Sequence, residues 1–211
     1  MEKAYIFDMD GVLIDSMGYF GQAMLDILIE DGISYPDDIV NIITPLGLKG
    51  CAEYFIELGV KSSMEEIINR MGEKMIYLYT NVIKSKPFVK EYLEKLKSQD
   101  KRLYVLTASP HITVDVCLKN NGIFDLFDVV WSTDDFPGLT KSDTRLFHTV
   151  AQTVGCKEDE IKYFDDNIIA IENAGKAGFN TVGVYDSHYA VPKEEVKAAS
   201  NQYIMSFEEL L

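Results

Sequence analysis

Two aspartates separated by one residue follow the first apolar segment of the chain. Asp8 and Asp10 come directly after Ala4–Phe7, a short apolar run that predicts a buried strand. At this spacing the two carboxylates can take different roles, one as a nucleophile and the other as a proton donor and acceptor. An EF-hand calcium loop is excluded, because Val12 and Tyr19 stand where that loop needs oxygen ligands. Taken alone, the pattern is also compatible with a surface turn.

A second acidic pair, Asp165 and Asp166, follows the apolar run Ile161–Phe164. Adjacent carboxylates at the end of a buried strand repel each other, and a hard cation with oxygen ligands would relieve that repulsion. The alternative is an acidic helix N-terminus favoured by the helix dipole, which explains one aspartate better than two. The pair therefore predicts a site for a hard divalent cation.

A hydroxyl group stands at the end of another predicted strand. Thr107 ends the run Leu103–Leu106 and is followed by Ala108 and Ser109, where a helix is predicted to begin. A hydroxyl and the free amides of a helix start can hold phosphoryl oxygens. Helix capping by Ser109, with Pro110 as the first helical residue, is the more common use of such residues. Both interpretations stay open at this point.

Lys141 is the candidate positive charge for a phosphate site. The segment around it superficially resembles the end of a Walker A loop. Thr140 precedes the lysine, however, and Asp135 occupies the upstream glycine position, which excludes that loop. Without its context Lys141 would be interpreted as a solvated surface residue. Beside Asp8, it would supply the charge that a phosphoryl group requires.

The candidate residues share one position in the predicted fold, the carboxyl end of an apolar segment. Such segments alternate with helical patterns, as in βα units around a parallel sheet. The predicted strands are Ala4–Phe7, Leu103–Leu106, Val129–Trp131, Ile161–Phe164 and Thr181–Tyr185. Gly122 is predicted to end one helix and Asn167 to cap another. Ligands of open α/β sheets bind at the carboxyl ends of the strands, so the sequence predicts a site there.

The segment between Asp15 and Lys86 has helical patterns and no convincing strand. One apolar face combines Met17, Phe20, Met24, Leu25 and Leu28. Ser63 and Glu66 predict a capping box for a later helix. The fold class is therefore α/β, a Rossmann-like parallel sheet core with an inserted all-helical cap. We expect residues 1–15 and 87–211 to form the core and residues 16–86 the cap.

The composition restricts the partners of the protein. The chain has 211 residues, 47% hydrophobic and 26% charged, with a net charge of -14. That charge disfavours binding to nucleic acid and to anionic membranes. The chain has three scattered cysteines, which favour reduced thiols. It shows neither a signal-peptide pattern nor a long apolar run, so we expect a cytoplasmic protein. We expect a small phosphorylated metabolite as the ligand, and a monomer or weak homodimer.

Together the four motifs resemble the haloacid dehalogenase-like superfamily, in the branch of β-phosphoglucomutase and phosphoglycolate phosphatase with a helical cap. The resemblance covers essentially the whole chain. It implies a phosphoric monoester hydrolase in which Asp8 forms an aspartyl-phosphate and Asp10 is the acid and base. It also implies Mg²⁺ held by Asp8, the Asp10 carbonyl and Asp166, with Asp165 as an outer or auxiliary ligand. The residues implied to clamp the phosphoryl oxygens are Thr107, the Ala108 amide and Lys141.

Departures from the family pattern favour hydrolysis over its alternatives. Phe20 stands where sugar phosphomutases of this branch carry a histidine, which weakens the mutase alternative. Asp10 disfavours the dehalogenase branch, which uses one aspartate and no metal. A signalling receiver domain is disfavoured because such domains are shorter and carry their motifs in a different order. A non-catalytic phospho-acceptor or binding protein is disfavoured because this chain has all the catalytic residue types. Within the cap, Lys49, Tyr77 and Tyr79 are candidate substrate contacts, with an ordinary surface or core role as the alternative.

Overall fold

Six strands form one parallel sheet in the computed structural model, which describes residues 2–43, 46–188 and 192–211. The strands are β1 (Ala4–Phe7), β2 (Arg102–Thr107), β3 (Val129–Ser132), β4 (Ile161–Asp165), β5 (Asn180–Val184) and β6 (Gln202–Ile204). Their order is β3-β2-β1-β4-β5-β6, and every neighbouring pair is parallel. The predicted α/β sheet is thereby confirmed.

β1 lies in the middle of the sheet, and all four of its residues are hydrophobic and buried, as is typical of a strand covered on both faces. Its last residue, Phe7, pairs in register with Val105 of β2 and Phe164 of β4. A parallel sheet brings the carboxyl ends of its strands to one edge. The residues after Phe7 and after Phe164 therefore meet, and Thr107 ends the strand on the other side.

Helices connect the strands of this sheet. They are α5 (Val89–Ser98), α6 (His111–Asn120), α7 (Thr144–Val154), α8 (Ile168–Lys176) and α9 (Lys193–Ala199). α7 shows why such a segment is helical: the Asp143 side chain accepts from the Arg145 amide at its start, and Gly155 ends it with φ of 69°. Its buried face packs with β1 and β4 into one apolar cluster that includes Phe147 and Tyr163.

In the described part of the segment between β1 and α5 there are four helices. They are α1 (Met17–Glu30), α2 (Ile39–Ile43), α3 (Gly47–Leu58) and α4 (Met64–Asn81). The predicted capping box of α4 is confirmed: Ser63 Oγ accepts from the Glu66 amide, and the Glu66 carboxylate accepts from the Ser63 amide at 2.7 Å. α4 buries the face formed by Ile67, Met71, Met75 and Tyr79.

The chain divides into two compact units, residues 1–15 with 84–211 and residues 16–83. The segments that enter and leave the helical unit hydrogen-bond to each other within the sheet unit. The Asp15 amide donates to the Lys84 carbonyl at 2.9 Å, and the Lys86 amide donates to the Leu13 carbonyl at 3.0 Å. No helix in the described ranges is long and apolar enough to cross a membrane, and Cys51, Cys117 and Cys156 are free thiols, as expected.

One local prediction differs from the structure, and one strand was not predicted. Ser109 does not cap α6: that helix begins at His111 after Pro110, which makes no side-chain cap. The Ser109 hydroxyl is instead bonded to a residue far away in the sequence, Asp10. β6 was not predicted, because its three residues are only partly apolar and the strand is shorter than the periodicity of a sequence can reveal.

Replacing Ser63 by alanine should destabilise the helical unit by about 1 kcal/mol, because it removes the hydrogen bond that the Glu66 amide donates to Ser63 Oγ and leaves only the bond from the Ser63 amide to the Glu66 carboxylate. Thermal unfolding followed by circular dichroism measures the change. Ser62→Ala is the matched control, since Ser62 takes part in neither bond. Equal melting temperatures for the Ser63 variant and the wild type would contradict the importance of this cap.

Candidate active site

A tight loop after β1 brings Asp8 and Asp166 together. The Asp8 amide donates to the Phe164 carbonyl at 2.8 Å, and the Met9 carbonyl accepts from the Leu13 and Ile14 amides. Gly11 allows this turn with φ of 74°, a conformation that side chains disfavour. A Cβ atom at Gly11 would lie 2.8 Å from Cγ of Asp166, so the loop has room at this position only for a residue without a side chain.

Lys141 lies between two buried carboxylates. Its Nζ is 2.5 Å from Asp8 Oδ1 and 2.9 Å from Asp165 Oδ2. Burial by itself would lower the pKa of Lys141, but the charges of Asp165 and Asp8 outweigh burial and raise that pKa. The amine is therefore a permanent ammonium group that binds both carboxylates.

Asp165 is fully buried and both of its oxygens accept hydrogen bonds from protein groups. Oδ2 accepts from Lys141 Nζ and from the Tyr163 hydroxyl, while Oδ1 accepts from the Asn167 amide at 2.8 Å. Asn167 in turn caps α8, as predicted, by accepting from the Ile169 amide at 2.9 Å. The position of the Asp165 carboxylate is thereby fixed by three donors.

Asp166 differs from its neighbour in its hydrogen bonding. Among the described residues, Asp8 Oδ1 and Asp166 Oδ2 are the buried side-chain oxygens that accept no well-oriented hydrogen bond. Asp8 Oδ1 nevertheless faces the Lys141 ammonium at ion-pair distance, so Asp166 Oδ2 is the oxygen that is more free to bind a cation. One oxygen each from Asp8, Asp165 and Asp166 lies within 4.8 Å of the others. A small, hard cation with carboxylate ligands fits this donor set.

The electrostatics of the site also favour a cation. Burial, with the charges of Asp165 and Asp10, raises the pKa of Asp8 to about 7, although Lys141 acts in the opposite direction. Burial and the charge of Asp165 hold the pKa of Asp166 well above its ordinary range. Three buried carboxylates face one ammonium group, so the cluster has unbalanced negative charge when it is ionised.

The loop after β2 carries the predicted phosphate-binding groups. Thr107 is buried, and its Oγ1 accepts from the Ser109 amide at 3.1 Å, while Ala108 is exposed. The Ser109 hydroxyl donates to Asp10 Oδ2 at 2.7 Å. This bond links the loop after β2 to the loop after β1, and it fixes one oxygen of the predicted acid and base.

The predicted cap residues lie in the helical unit. Lys49 on α3 has a side chain that is 76% exposed and lies 3.9 Å from Glu53, its neighbour one helical turn away. Tyr77 is 62% exposed, whereas Tyr79 is buried and belongs to the core of the unit. Their contact with a substrate stays a prediction.

The sequence interpretation missed one residue at the site, Tyr163, and the role of another, Ser109. Tyr163 donates to Asp165, and the Ser109 hydroxyl serves Asp10 rather than a helix end. A signal for Tyr163 was present, because residues two positions apart on a strand point to the same side, and Tyr163 precedes Asp165 by two. No local pattern indicated the bond from Ser109.

Comparisons with known proteins identify relatives of this chain. The model of the haloacid dehalogenase-like hydrolase family matches residues 5–184. A phosphorylated carbohydrates phosphatase of Thermotoga maritima is 26% identical over 181 residues, which cover 85% of this chain and 83% of the relative. The GMP/IMP nucleotidase YrfG of Escherichia coli is 27% identical over 185 residues, covering 82% and 78%.

A solved structure extends the agreement to the fold. It is a Thermotoga maritima protein provisionally assigned as a beta-phosphoglucomutase, with a TM-score of 0.85, 26% identity and coverage of 97% of this chain and 94% of that chain. The family model includes the segments that carry Asp8, Thr107, Lys141 and Asp166, and it spans most of the sequence. The protein belongs to the haloacid dehalogenase-like hydrolase family.

Proposed function

We propose that this protein is a Mg²⁺-dependent phosphatase that hydrolyses a small phosphorylated metabolite through an aspartyl-phosphate intermediate. The observation that carries the proposal is the buried Asp8, ion-paired with Lys141 and adjacent to Asp166, whose Oδ2 accepts no hydrogen bond among the described residues. The phosphatase and the nucleotidase among its relatives support the same reaction class.

In the first step an Asp8 oxygen attacks the phosphorus atom. A bond forms between that oxygen and phosphorus, the ester bond of the substrate breaks, and the leaving oxygen takes a proton from Asp10. In the second step a water attacks the phosphorus of the aspartyl-phosphate. Asp10 accepts a proton from that water, the bond to Asp8 breaks, and inorganic phosphate leaves. The Ser109 hydroxyl orients Asp10 for both proton transfers.

Groups around Asp8 would hold the phosphoryl oxygens. We assign this role to the Lys141 ammonium, the Thr107 hydroxyl and the Ala108 amide. Lys141 already contacts Asp8, so it can reduce the repulsion between the carboxylate and the phosphate dianion. Thr107 is held by the Ser109 amide, which orients its side chain.

Asp8, Asp166 and the Asp10 carbonyl would hold the cation. When bound, Mg²⁺ supplies positive charge that neutralises the phosphoryl oxygens and aligns them for attack. Asp166 has the better free oxygen for this purpose, whereas the Asp165 oxygens already accept three bonds. Asp165 would therefore support the site from outside the direct ligands.

Substrate selectivity is a separate part of the proposal. We assign it to the predicted helical cap, which in the structure is the unit of residues 16–83, with Lys49 as a candidate contact. Relatives act on phosphorylated carbohydrates and on GMP and IMP. Because the first of these is a phosphatase of carbohydrate esters, phosphorylated sugars are the first class of substrate to test, followed by nucleotides and glycolate phosphate.

Asp8→Asn should lower phosphate release by about 10³-fold or more, because the amide has nearly the same shape but is a poor nucleophile. The measurement is Mg²⁺-dependent phosphate release from a panel of sugar phosphates, nucleotides and glycolate phosphate. Circular dichroism and the melting temperature serve as controls for the fold. Activity equal to that of the wild type would remove Asp8 from the mechanism.

Mg²⁺ should stabilise the protein at pH 8 and much less at pH 5. Because burial raises the pKa of Asp8 to about 7, the folded metal-free protein keeps protons that the unfolded chain releases near pH 4. Its stability therefore falls as the pH rises from about 4 to about 7. At pH 8, Mg²⁺ at about 100 times its dissociation constant should restore about 2.7 kcal/mol.

Melting temperatures with EDTA and with Mg²⁺ at both pH values test this expectation. Asp166→Asn should lose most of the Mg²⁺-dependent stabilisation, because it lacks one charged ligand. Asp134→Asn, which removes an exposed carboxylate, is the matched control. Equal stabilisation of the wild type and the Asp166 variant would place the cation elsewhere.

Hydrolysis, rather than intramolecular phosphoryl transfer, should be the main reaction. The mutase alternative is supported by the similar solved structure. Phe20, however, stands where sugar phosphomutases of this branch carry a histidine, and its side chain can neither hydrogen-bond nor exchange a proton. The Phe20 ring packs against the Tyr79 ring, with 6.1 Å between their centroids. The test supplies β-glucose 1-phosphate, Mg²⁺ and a sugar bisphosphate primer. If glucose 6-phosphate forms much faster than free phosphate, the protein is a mutase.

A further inference from the structure

Tyr163 has a ring that packs in the apolar core and a hydroxyl group that reaches the charged site. It is fully buried on β4. Its ring packs edge to face against Phe147 at 5.2 Å and against Phe179 at 6.5 Å. A phenylalanine would satisfy that packing equally well, and a buried hydroxyl is costly unless it forms a hydrogen bond. The hydroxyl must therefore be explained by its bond rather than by the packing of the ring.

This hydroxyl donates to Asp165, and the negative charge of Asp165 also attracts the Lys141 ammonium group. Tyr163 donates to the same oxygen, Oδ2, that also accepts from Lys141 Nζ at 2.9 Å. The other Asp165 oxygen is held by the Asn167 amide. Lys141 Nζ is thus attracted from one side by Asp8 and from the other by Asp165.

We propose that Tyr163 is a positioning residue that acts through Asp165 to set Lys141 against Asp8. The inference rests on the proposed function, in which Lys141 neutralises charge during phosphoryl transfer. Tyr163 takes up part of the negative charge on Asp165 Oδ2 and prevents rotation of the carboxylate. Lys141 then stays close to Asp8 instead of binding to Asp165 alone.

Removing the hydroxyl should change the rate and not the binding. In Tyr163→Phe, Asp165 Oδ2 keeps one donor where it had two, so it attracts Lys141 more strongly, and the carboxylate is held by two donors instead of three. A lost hydrogen bond to a charged group predicts a fall in kcat of roughly tenfold. The KM of the substrate should change by less than about twofold.

The experiment compares Tyr163→Phe with Tyr104→Phe. Tyr104 is a buried tyrosine on β2 that stacks on Trp131 at 5.1 Å, so its variant loses a hydroxyl outside the network. Steady-state kinetics give kcat and KM, and calorimetry of the substrate-free protein gives the Mg²⁺ dissociation constant. We expect that constant to be unchanged in both variants, and kcat to fall only in Tyr163→Phe.

A second pair of variants tests whether the effect passes through Asp165. In an Asp165→Ala background the hydroxyl has no carboxylate to orient, so adding Tyr163→Phe should change kcat by less than about twofold. If the two substitutions instead lower kcat by factors that multiply in the double variant, the role of Tyr163 is purely structural and the inference is overturned. Full activity of the single Tyr163 variant, or weaker Mg²⁺ binding as its only defect, would also overturn it.

The same experiment separates this inference from the proposed function. An active wild type with an equally active Tyr163→Phe variant contradicts the positioning role alone and leaves the phosphatase intact. A wild type that releases no phosphate from any ester in the panel contradicts the proposed function, and the positioning role falls with it.

Discussion

The structure depends on the stable burial of three carboxylates next to one ammonium group. Asp8, Asp165 and Asp166 all lie at the carboxyl edge of the sheet, and Lys141 contacts two of them. Unbalanced charge in the interior is costly, so each carboxylate needs a partner or an elevated pKa. This cluster forms because β1 lies in the middle of the sheet and pairs in parallel register with β4. It also needs the close approach to Asp166 that Gly11 allows.

Adjacent residues of the same type have different environments because of their hydrogen bonds. Asp165 accepts from a lysine, a tyrosine and a backbone amide, whereas Asp166 Oδ2 accepts from no described residue. The first carboxylate is therefore immobilised and the second is available to a cation. In the proposed function, this division would separate orientation of the lysine by Asp165 from cation binding by Asp166. It also explains why two aspartates are needed at a strand end where one would suffice for a helix dipole.

Local sequence patterns were reliable where the deciding interaction is local. The capping box of α4 and the cap of α8 involve partners within three residues, and both are present. Ser109 was misinterpreted because its hydroxyl bonds to Asp10, which is 99 positions away in the sequence. A serine that caps a helix and a serine that bonds to a distant residue can have the same neighbours in the sequence. The short edge strand β6 was missed for a related reason, since its pairing with β5 defines it more than its own residues do.

The sequence by itself determined the α/β class, five of the six strands and the residue types at their carboxyl ends. These follow from apolar periodicity and from the chemistry of aspartate, threonine and lysine, which are properties of short segments. Only the tertiary structure decided which oxygen has which partner. Lys141 contacts Asp165 from 24 positions away in the sequence, and Asp8 lies beside Asp165 and Asp166 because β1 pairs with β4. Such pairings depend on the register of the whole sheet, and no local segment encodes that register.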